Sequence, residues 1–355
     1  MMLYKLLNSS KLLNKNSAIL TLMDSDSFIK ENIKNLDIPV YSLQMRKIPS
    51  AMSFLRLRKI ISDFSPSLIQ GWMYHSNLIS ELCKMLGKAK IPTLWNIRHC
   101  VYNLKYEKKS TSMAIRLGAI LSTKPKKIIY NSHTSSQQHH LLGYCSEKTV
   151  IIPNGFNIEN HSVQERKILK VPDDCIIIGN IGRYHPLKDH KNLICAAKEI
   201  IKIKPNVKFV LIGRGVDPDN RNLMQMLKSF GIQEYFYLMG EVKDLELLYP
   251  EMDFVVQASY SEGFPNVLGE SMAAGVPCVA TSVGDTEWLI GPSGFLVQPQ
   301  NPEELAKACI KMIEIGREAR LKLGEMARQR IIKNFSINTV ANMYENLYLE
   351  VLRDK

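Results

Sequence analysis

The stretch SEGFPNVLGESMAAG, residues 261–275, holds two carboxylates, Glu262 and Glu270, on either side of a glycine, a proline and an apolar run. A carboxylate repels phosphate but accepts hydrogen bonds from a vicinal diol, so two acids spaced this way suit two sets of sugar hydroxyls. Pro265 between them is a residue that opens helices. The N–H groups of Asn266, Val267 and Leu268 would then form the unpaired first turn of that helix, which attracts an anion. Glu270 lies one turn further along, on the side of Asn266. A second stretch, GNIGRYHPLKDHKNL (residues 179–193), supplies Arg183 and Lys188 just after Gly182. A planar guanidinium fork and a mobile ammonium match a diphosphate, whose oxygens point several ways, and glycine lets the backbone approach such a ligand. Each pair taken alone also fits an ordinary surface: a loop acid with a helix acid, and a turn arginine with a lysine.

The elements that must hold these residues are legible around them. From Cys175 onward, short apolar runs (CIIIGNIG, VKFVLIG, YFYLMG, DFVVQAS, PCVATSV) alternate with longer amphipathic ones (KNLICAAKEIIKI, NLMQMLKSFGI, NVLGESMAAG). Strand and helix periods alternating at this spacing predict βαβ units and a parallel sheet. In such a sheet, ligands bind beyond the carboxyl ends of the strands, which is where Arg183 follows GNIG and Glu262 follows DFVVQAS. The first half repeats the texture more weakly, with SAILTLM, SLIQGW, PTLWNI and KKIIYNS as strands ending in polar turns. The two halves join near TVIIPNGFNIENHSVQE, where a strand gives way to a Pro-Asn-Gly turn. The closing segment FSINTVANMYENLYLEVL predicts an amphipathic helix with Val340, Met343, Leu347 and Val351 on its apolar side.

Composition narrows the function classes. A chain of 355 residues with 45% hydrophobic content supports two domains with cores of their own. No apolar stretch reaches a membrane-spanning length, and MMLYKLLNSSKLL lacks the core and cleavage site of a signal peptide, so a cytoplasmic location is expected. Seven scattered cysteines without a C-x-x-C pair suggest neither a disulfide framework nor a zinc site. Residues 1–160 contain 22 Lys and Arg against 9 Asp and Glu, and residues 161–355 contain 24 against 25, so the whole excess of the +12 chain lies in the first half. That half is suited to meet an anion such as phospholipid headgroups, a lipid diphosphate or nucleic acid, or it is a solvated basic face. Nucleic acid rests on charge alone, with no recognised motif, and none is expected as a partner. GNIGR and GRGVD do not complete G-x-G-x-x-G, which argues against a nicotinamide cofactor.

RYHPLKDHKNLICAA, FVLIGRG, VIIPNGFN and the long run YLMGEVKDLELLYPEMDFVVQASYSEGFPNVLGESMAAGVPCVATSVGD together resemble the retaining glycosyltransferases of the large family 4. Glu262 and Glu270 match that family's E-x7-E motif, and the resemblance extends over essentially the whole chain. It implies an α/β GT-B fold, two Rossmann-like parallel-sheet domains facing across a cleft. Residues 1–153 would form the acceptor side, residues 154–336 the nucleotide-sugar side, and residues 337–355 a terminal helix packing back toward the first domain. The implied activity is transfer of a hexosyl group from a nucleotide diphosphate sugar, a UDP-sugar favoured, to a lipid-linked or saccharide acceptor with retention of configuration. Its setting would be envelope polysaccharide or lipopolysaccharide biosynthesis in a bacterium, at the inner face of the plasma membrane. By resemblance, Arg183 and Lys188 neutralise the donor diphosphate and Glu270 holds the ribose. Glu262 with Gly182, Gly263, Phe264, Pro265, Asn266 and Val267 surrounds the donor, and the loop of Met239, Gly240 and Val242 meets the base. His99 matches the family's active-site histidine, and His75 matches another more weakly. No cofactor and no metal are implied, since the leaving phosphate itself is thought to accept the acceptor's proton.

The chain departs from the family at its start. MMLYKLLNSS reads as the first helix, without the opening strand and glycine-rich turn, so that either the true start lies upstream of Met1 or the copy is degraded. Asp24 to Asp26, DSD, is read as a loop and not as a metal-binding D-x-D. Acceptor choice is expected in first-half loops such as VYNLKYEKKSTSM. Two alternatives stay open: a nucleotide-sugar epimerase on the same scaffold, and a nucleotide-sugar-binding relic without turnover.

Overall fold

The computed structural model describes residues 2–10, 13, 17–23, 33, 35–45, 50–86, 91–158, 168–169, 171–172 and 174–353. The chain divides into unit 1, Met1–Gly155 with Ile337–Lys355, and unit 2, Phe156–Ser336. The junction falls two residues after the expected boundary, and the terminal segment belongs to unit 1. Asp24 to Asp26 lie outside the described residues.

Unit 1 opens with the helix α1 (Met2–Ser9), as MLYKLLNS predicts, followed by strands β1 (Ile19–Thr21) and β2 (Val40–Ser42), which pair in parallel. Four further strands, β3 (Ile69–Trp72), β4 (Thr93–Ile97), β5 (Lys127–Tyr130) and β6 (Thr149–Ile151), form a parallel ladder in that order. Among the described residues the two ladders are separate sheets, yet they share both apolar layers. Ile19 packs with Leu68 and Trp72 on one face, and Leu20 packs with Ile69 on the other, as the period-two alternation of a strand demands. Helices α2 (Ala51–Phe64), α3 (Met73–Leu86), α4 (Lys109–Leu121) and α5 (His133–Leu141) intervene between strands. The terminal helix, Ile337–Arg353, lays Val340, Leu347 and Val351 on Leu6 and Leu7 of α1. Met343, expected on that face, is 36% exposed, and Tyr344 at 0% takes the place. The reason is the 3.6-residue period, which keeps positions 340, 344, 347 and 351 in line and turns 343 to the flank.

Unit 2 carries strands β7 (Ile176–Ile181), β8 (Val207–Ile212), β9 (Phe236–Leu238), β10 (Phe254–Gln257), β11 (Cys278–Thr281) and β12 (Gly294–Val297). They form one parallel sheet in the order β12-β11-β10-β7-β8-β9. Its helices are α6 (His190–Ile203), α7 (Arg221–Phe230), α8 (Asn266–Ala273), α9 (Thr286–Ile290), α10 (Pro302–Glu314) and α11 (Gly316–Phe335). Helices on both faces bury the inner strands β7, β8, β10 and β11 almost throughout, while the edge strands β9 and β12 stay mostly half-buried, which is why IIIGNI, VKFVLI and FVVQ read as nearly continuous apolar runs and not as alternation. The order runs outward from β7 to β9 on one side and from β10 to β12 on the other, so β7 and β10 flank the reversal, where open α/β sheets leave a crevice. The side chains of buried Asn180 and largely buried Asp253 stitch these two strands, Asn180 Nδ2 donating to the Val256 carbonyl at 2.8 Å and Asp253 Oδ2 accepting from Ile177 N at 2.9 Å. Arg320 of α11 closes the network with an ion pair to Asp253 at 3.0 Å.

Candidate active site

The reversal point brings Lys188 and Glu262 together, 74 residues apart in sequence. Beyond β7 the chain makes a short 3-10 turn, Pro186–Lys188, whose first amides are capped by His185: Leu187 N donates to His185 Nδ1 at 3.2 Å. Asp189 ends that turn with φ +45°, a left-handed conformation that aspartate tolerates better than most residues, and its carboxylate caps α6 by accepting from Asn192 N at 3.2 Å. The double cap fixes where Lys188 leaves the backbone. Its Nζ lies 2.5 Å from Glu262 Oε1. Tyr260 N donates to the Leu187 carbonyl at 2.9 Å, tying the β10 outlet to the same turn. Arg183 is exposed on the same segment. Burial, with the charges of Arg183 and Lys188, lowers the pKa of His185. The next imidazole, His190, is pushed down to about 4 by burial and by Lys188, so it is neutral at physiological pH.

Glu262 is aimed by groups that the sequence reading did not single out. Ser259 is buried, and its hydroxyl donates to Glu262 Oε1 at 2.7 Å while accepting from Gln257 Nε2 at 3.3 Å. Thr281 holds the Ser259 carbonyl at 2.7 Å. The loop then drops Phe264 into an aromatic cluster with Phe156, Trp288 and Phe335. Phe264 is only 7% exposed, so the ring of this donor-binding candidate is taken up by the cluster. The anchor requires glycine at 269, where a Cβ would lie 2.0 Å from the Phe156 ring. A second turn supports the loop from beneath: Asp285 N donates to the Gly263 carbonyl at 2.9 Å, and Gly284, with φ +58°, passes so close that a Cβ would stand 2.2 Å from the Glu262 carbonyl oxygen.

Helix α8 starts at Asn266 with Pro265 ahead of it and no side-chain cap on its first turn. Glu270 sits one turn in, half-buried, and Tyr249 donates to its Oε2 at 3.1 Å. Burial and the Glu270 carboxylate raise the Tyr249 pKa, so the phenol stays protonated and remains a donor. Met239 and Val242 pack on the same apolar cluster as Val267 and Tyr249, and Gly240 bonds to the turn after β8, its carbonyl accepting from Gly213 N at 2.7 Å. The candidates Gly182, Arg183, Lys188, Met239 to Val242, Glu262 to Val267 and Glu270 therefore all follow strand carboxyl ends of unit 2.

His99 and His75 belong to unit 1. His99 follows β4, and its Nε2 donates to Glu107 Oε1 at 2.7 Å. His75 lies exposed in the first turn of α3. The residue of that turn facing His99 is Tyr74, edge-on at 6.2 Å. Tyr74 donates to His139 Nε2 at 2.9 Å while His139 Nδ1 donates to the Ser135 carbonyl at 2.7 Å, an arrangement that needs a neutral imidazole. Burial pushes the His139 pKa down to about 4 accordingly. Tyr74, Glu107 and His139 were missed in the sequence, although Tyr74 neighbours the quoted His75 and Glu107 lies in the expected acceptor loop.

Two family models match the chain: Glycosyltransferase Family 4 over residues 16–160 and Glycosyl transferases group 1 over residues 175–314. Among characterised relatives, N-acetyl-alpha-D-glucosaminyl L-malate synthase of Bacillus anthracis is 28% identical over 50% of this chain, which spans 46% of that protein. UDP-Gal:alpha-D-GlcNAc-diphosphoundecaprenol alpha-1,3-galactosyltransferase of Escherichia coli is 21% identical over 92% of this chain and 87% of its own. The capsular polysaccharide biosynthesis glycosyltransferase CapM of Staphylococcus aureus is 26% identical over 85% and 81%. The crystal structure of Anabaena HepE in complex with UDP and glucose superposes with a TM-score of 0.80 at 21% identity, covering 98% of this chain and 95% of that one, a likeness of fold. With both family models in chain order and the parallel sheets in place, the chain belongs to the group 1 and family 4 glycosyltransferases and has their GT-B fold.

Proposed function

We propose that the chain transfers a hexosyl group from a UDP-sugar to a lipid-linked or saccharide acceptor, with retention of configuration, in bacterial envelope polysaccharide biosynthesis. The observation that carries this reading is the convergence of Lys188 from the β7 outlet and Glu262 from the β10 outlet, beside the first turn of α8. The Lys188 ammonium has three N–H donors and Glu262 takes one, which leaves donors for a donor phosphate. Arg183 and the N-terminus of α8 add charge and amides to the same anion, and Glu270 offers a carboxylate to the ribose. As the glycosidic bond breaks, negative charge builds on the leaving diphosphate. Preorganised cations there lower the barrier without reorganising at the moment of reaction. Glu262, held by Ser259, is placed for the hydroxyls of the transferred sugar, and acceptor attack on the face that the diphosphate leaves gives retention. In this reading Arg183 and Lys188 supply the positive charge, and turnover is expected to persist in EDTA. UDP as donor base is supported by the HepE complex, and a lipid-linked acceptor by the Escherichia coli relative.

Calorimetric titration with UDP, GDP and ADP tests the donor half. UDP should bind selectively, and Lys188→Ala and Glu270→Ala should each weaken it by roughly tenfold or more, the effect of losing one charged or bidentate contact. Failure of a folded chain to bind any of the three would remove the assignment. The anomeric configuration of the product, read by NMR, tests retention.

A further inference from the structure

The carboxylate of Glu270 is fastened from the core of unit 2. Glu270 stands half-buried on α8, and its Oε2 accepts the hydroxyl of Tyr249 at 3.1 Å. Tyr249 comes from a different element, the 3-10 turn Tyr249–Glu251 ahead of β10. It is 2% exposed and shares an apolar cluster with Leu268 and Met272 of α8. The turn itself is tied down on two sides. Glu251, also buried, accepts from Ile168 N at 2.8 Å with one carboxylate oxygen and from Leu169 N at 2.7 Å with the other. Met252 lies so close to β7 that a Cβ on Gly179 would stand 2.1 Å from its sulfur, and Asp253 N donates to the Ile177 carbonyl at 2.9 Å. Pro250 removes one backbone freedom within the turn. The place of the phenol is therefore set by the fold before any ligand arrives.

A tyrosine that only fills a core has no need of its oxygen, since phenylalanine occupies nearly the same space. Among the described residues Glu270 is the one hydrogen-bond partner of this hydroxyl. Burial and that carboxylate raise the phenol's pKa, so it donates and does not exchange its proton. A neutral donor aims the carboxylate without cancelling its charge, as a lysine or arginine in that place would. It also takes only one of the roughly four acceptor sites of a carboxylate. Two hydroxyls on adjacent carbons can be held together only by a carboxylate kept in one orientation.

We infer that Tyr249 is the positioning residue of the ribose grip, and that the preference of the donor site for a nucleotide with an intact ribose diol depends on its hydroxyl. The inference rests on the reading that Glu270 receives that diol. Tyr249 itself touches no substrate and acts through Glu270.

The test is calorimetric titration of the full chain with UDP and with 2′,3′-dideoxy-UDP, which keeps the base and the diphosphate and lacks the diol. The parent should bind UDP roughly tenfold or more tighter than the dideoxy analogue. Tyr249→Phe keeps the ring and should weaken UDP by roughly tenfold while leaving the dideoxy analogue within about twofold of the parent. Glu270→Ala should erase the preference, and Tyr249→Phe added to Glu270→Ala should change neither affinity further. The two affinities are compared within each variant, so a smaller folded fraction lowers the stoichiometry and does not imitate the effect. Equal weakening of both nucleotides by Tyr249→Phe would assign the hydroxyl to the packing of α8 and overturn the inference. An unchanged UDP affinity in Tyr249→Phe, beside a weakened Glu270→Ala, also overturns it and leaves the donor reading standing. A folded parent that binds neither nucleotide, or binds both alike and is indifferent to Glu270→Ala, removes the ribose reading and the inference with it.

Discussion

Gly284 is the residue where fold and chemistry meet most directly, and its replacement by alanine can be worked through. Its φ of +58° is a conformation that costs an alanine about 1–2 kcal/mol. A Cβ there would also stand 2.2 Å from the Glu262 carbonyl oxygen and 2.7 Å from that of Gly263, and both obstacles are backbone. Ordinary contact begins near 3.4 Å, so the turn and the Glu262–Gly263 loop must separate by about 1 Å. Overpacking of this kind adds about 1–3 kcal/mol, which brings the expected loss for Gly284→Ala to about 3 kcal/mol. Gly231 is the control. It has φ +67° and nothing within 4 Å, so Gly231→Ala isolates the conformational cost of about 1 kcal/mol. For a unit of this size the two variants should melt about 10 °C and about 3 °C below the parent. The loop displacement has a second signature, since a shift of about 1 Å in a positioned group can cost on the order of a hundredfold in rate. Gly284→Ala should therefore lose kcat/KM by that order in a transferase assay, while Gly231→Ala keeps it. Equal melting shifts with unchanged kcat/KM in both would falsify the claim that Gly284 sets the position of Glu262.

Other perturbations follow from the same geometry. Ser259→Ala removes the hydroxyl that aims Glu262 without touching the loop backbone, which Thr281 holds. It should lower kcat by roughly tenfold and leave UDP affinity near the parent value, and a fall in UDP affinity instead would place Ser259 elsewhere in the mechanism. Arg320→Leu removes the cation paired with the largely buried Asp253 carboxylate, which keeps the Ile177 amide, and should cost about 3 kcal/mol by urea unfolding; a loss under about 1 kcal/mol would mean that the pair is not a fixture of the fold. The depressed imidazoles predict acid sensitivity. His139 in unit 1 and His190 in unit 2 fall to about 4 in the folded chain against 6.5 unperturbed, so the unfolded state binds protons first. Their stability contribution is complete above pH 6.5, declines as pH falls toward 4, and amounts to on the order of 3 kcal/mol each. His190→Leu should flatten the decline for unit 2, and an unaltered profile would assign the acid loss to other groups.

What could be read from the sequence, and what could not, divides by the range of the interactions. Strands β7 to β11 of unit 2 were legible as apolar runs, whereas the half-buried edge strand β12 (Gly294–Val297) was not singled out, and Arg183, Lys188, Glu262 and Glu270 stand in the outlets of such runs or one helical turn beyond. In unit 1, β2 is three residues long with a half-exposed pattern, and α2 is an amphipathic helix among short strands; neither carries a signal strong enough to separate it from its surroundings. Met343 was misplaced for a local reason, because a spacing of three was followed where the drift of a 3.6-residue helix selects the next residue, Tyr344. The supports of the site were invisible for a different one. Tyr249 reaches Glu270 across 21 residues, Lys188 reaches Glu262 across 74, and Gly284 meets the Glu262 backbone only because β10 and β11 lie side by side. Residue type announces the groups that could touch a substrate, since carboxylates and cations beside strand ends are conspicuous. A serine, a tyrosine or a glycine that merely aims them carries no charge and no pattern, and only the closing of the sheet gives it a role. The aiming residues are therefore the stronger test of the proposed chemistry: a role for Ser259 or Gly284 in turnover follows from the folded arrangement alone, and no reading of motif or composition would have suggested it.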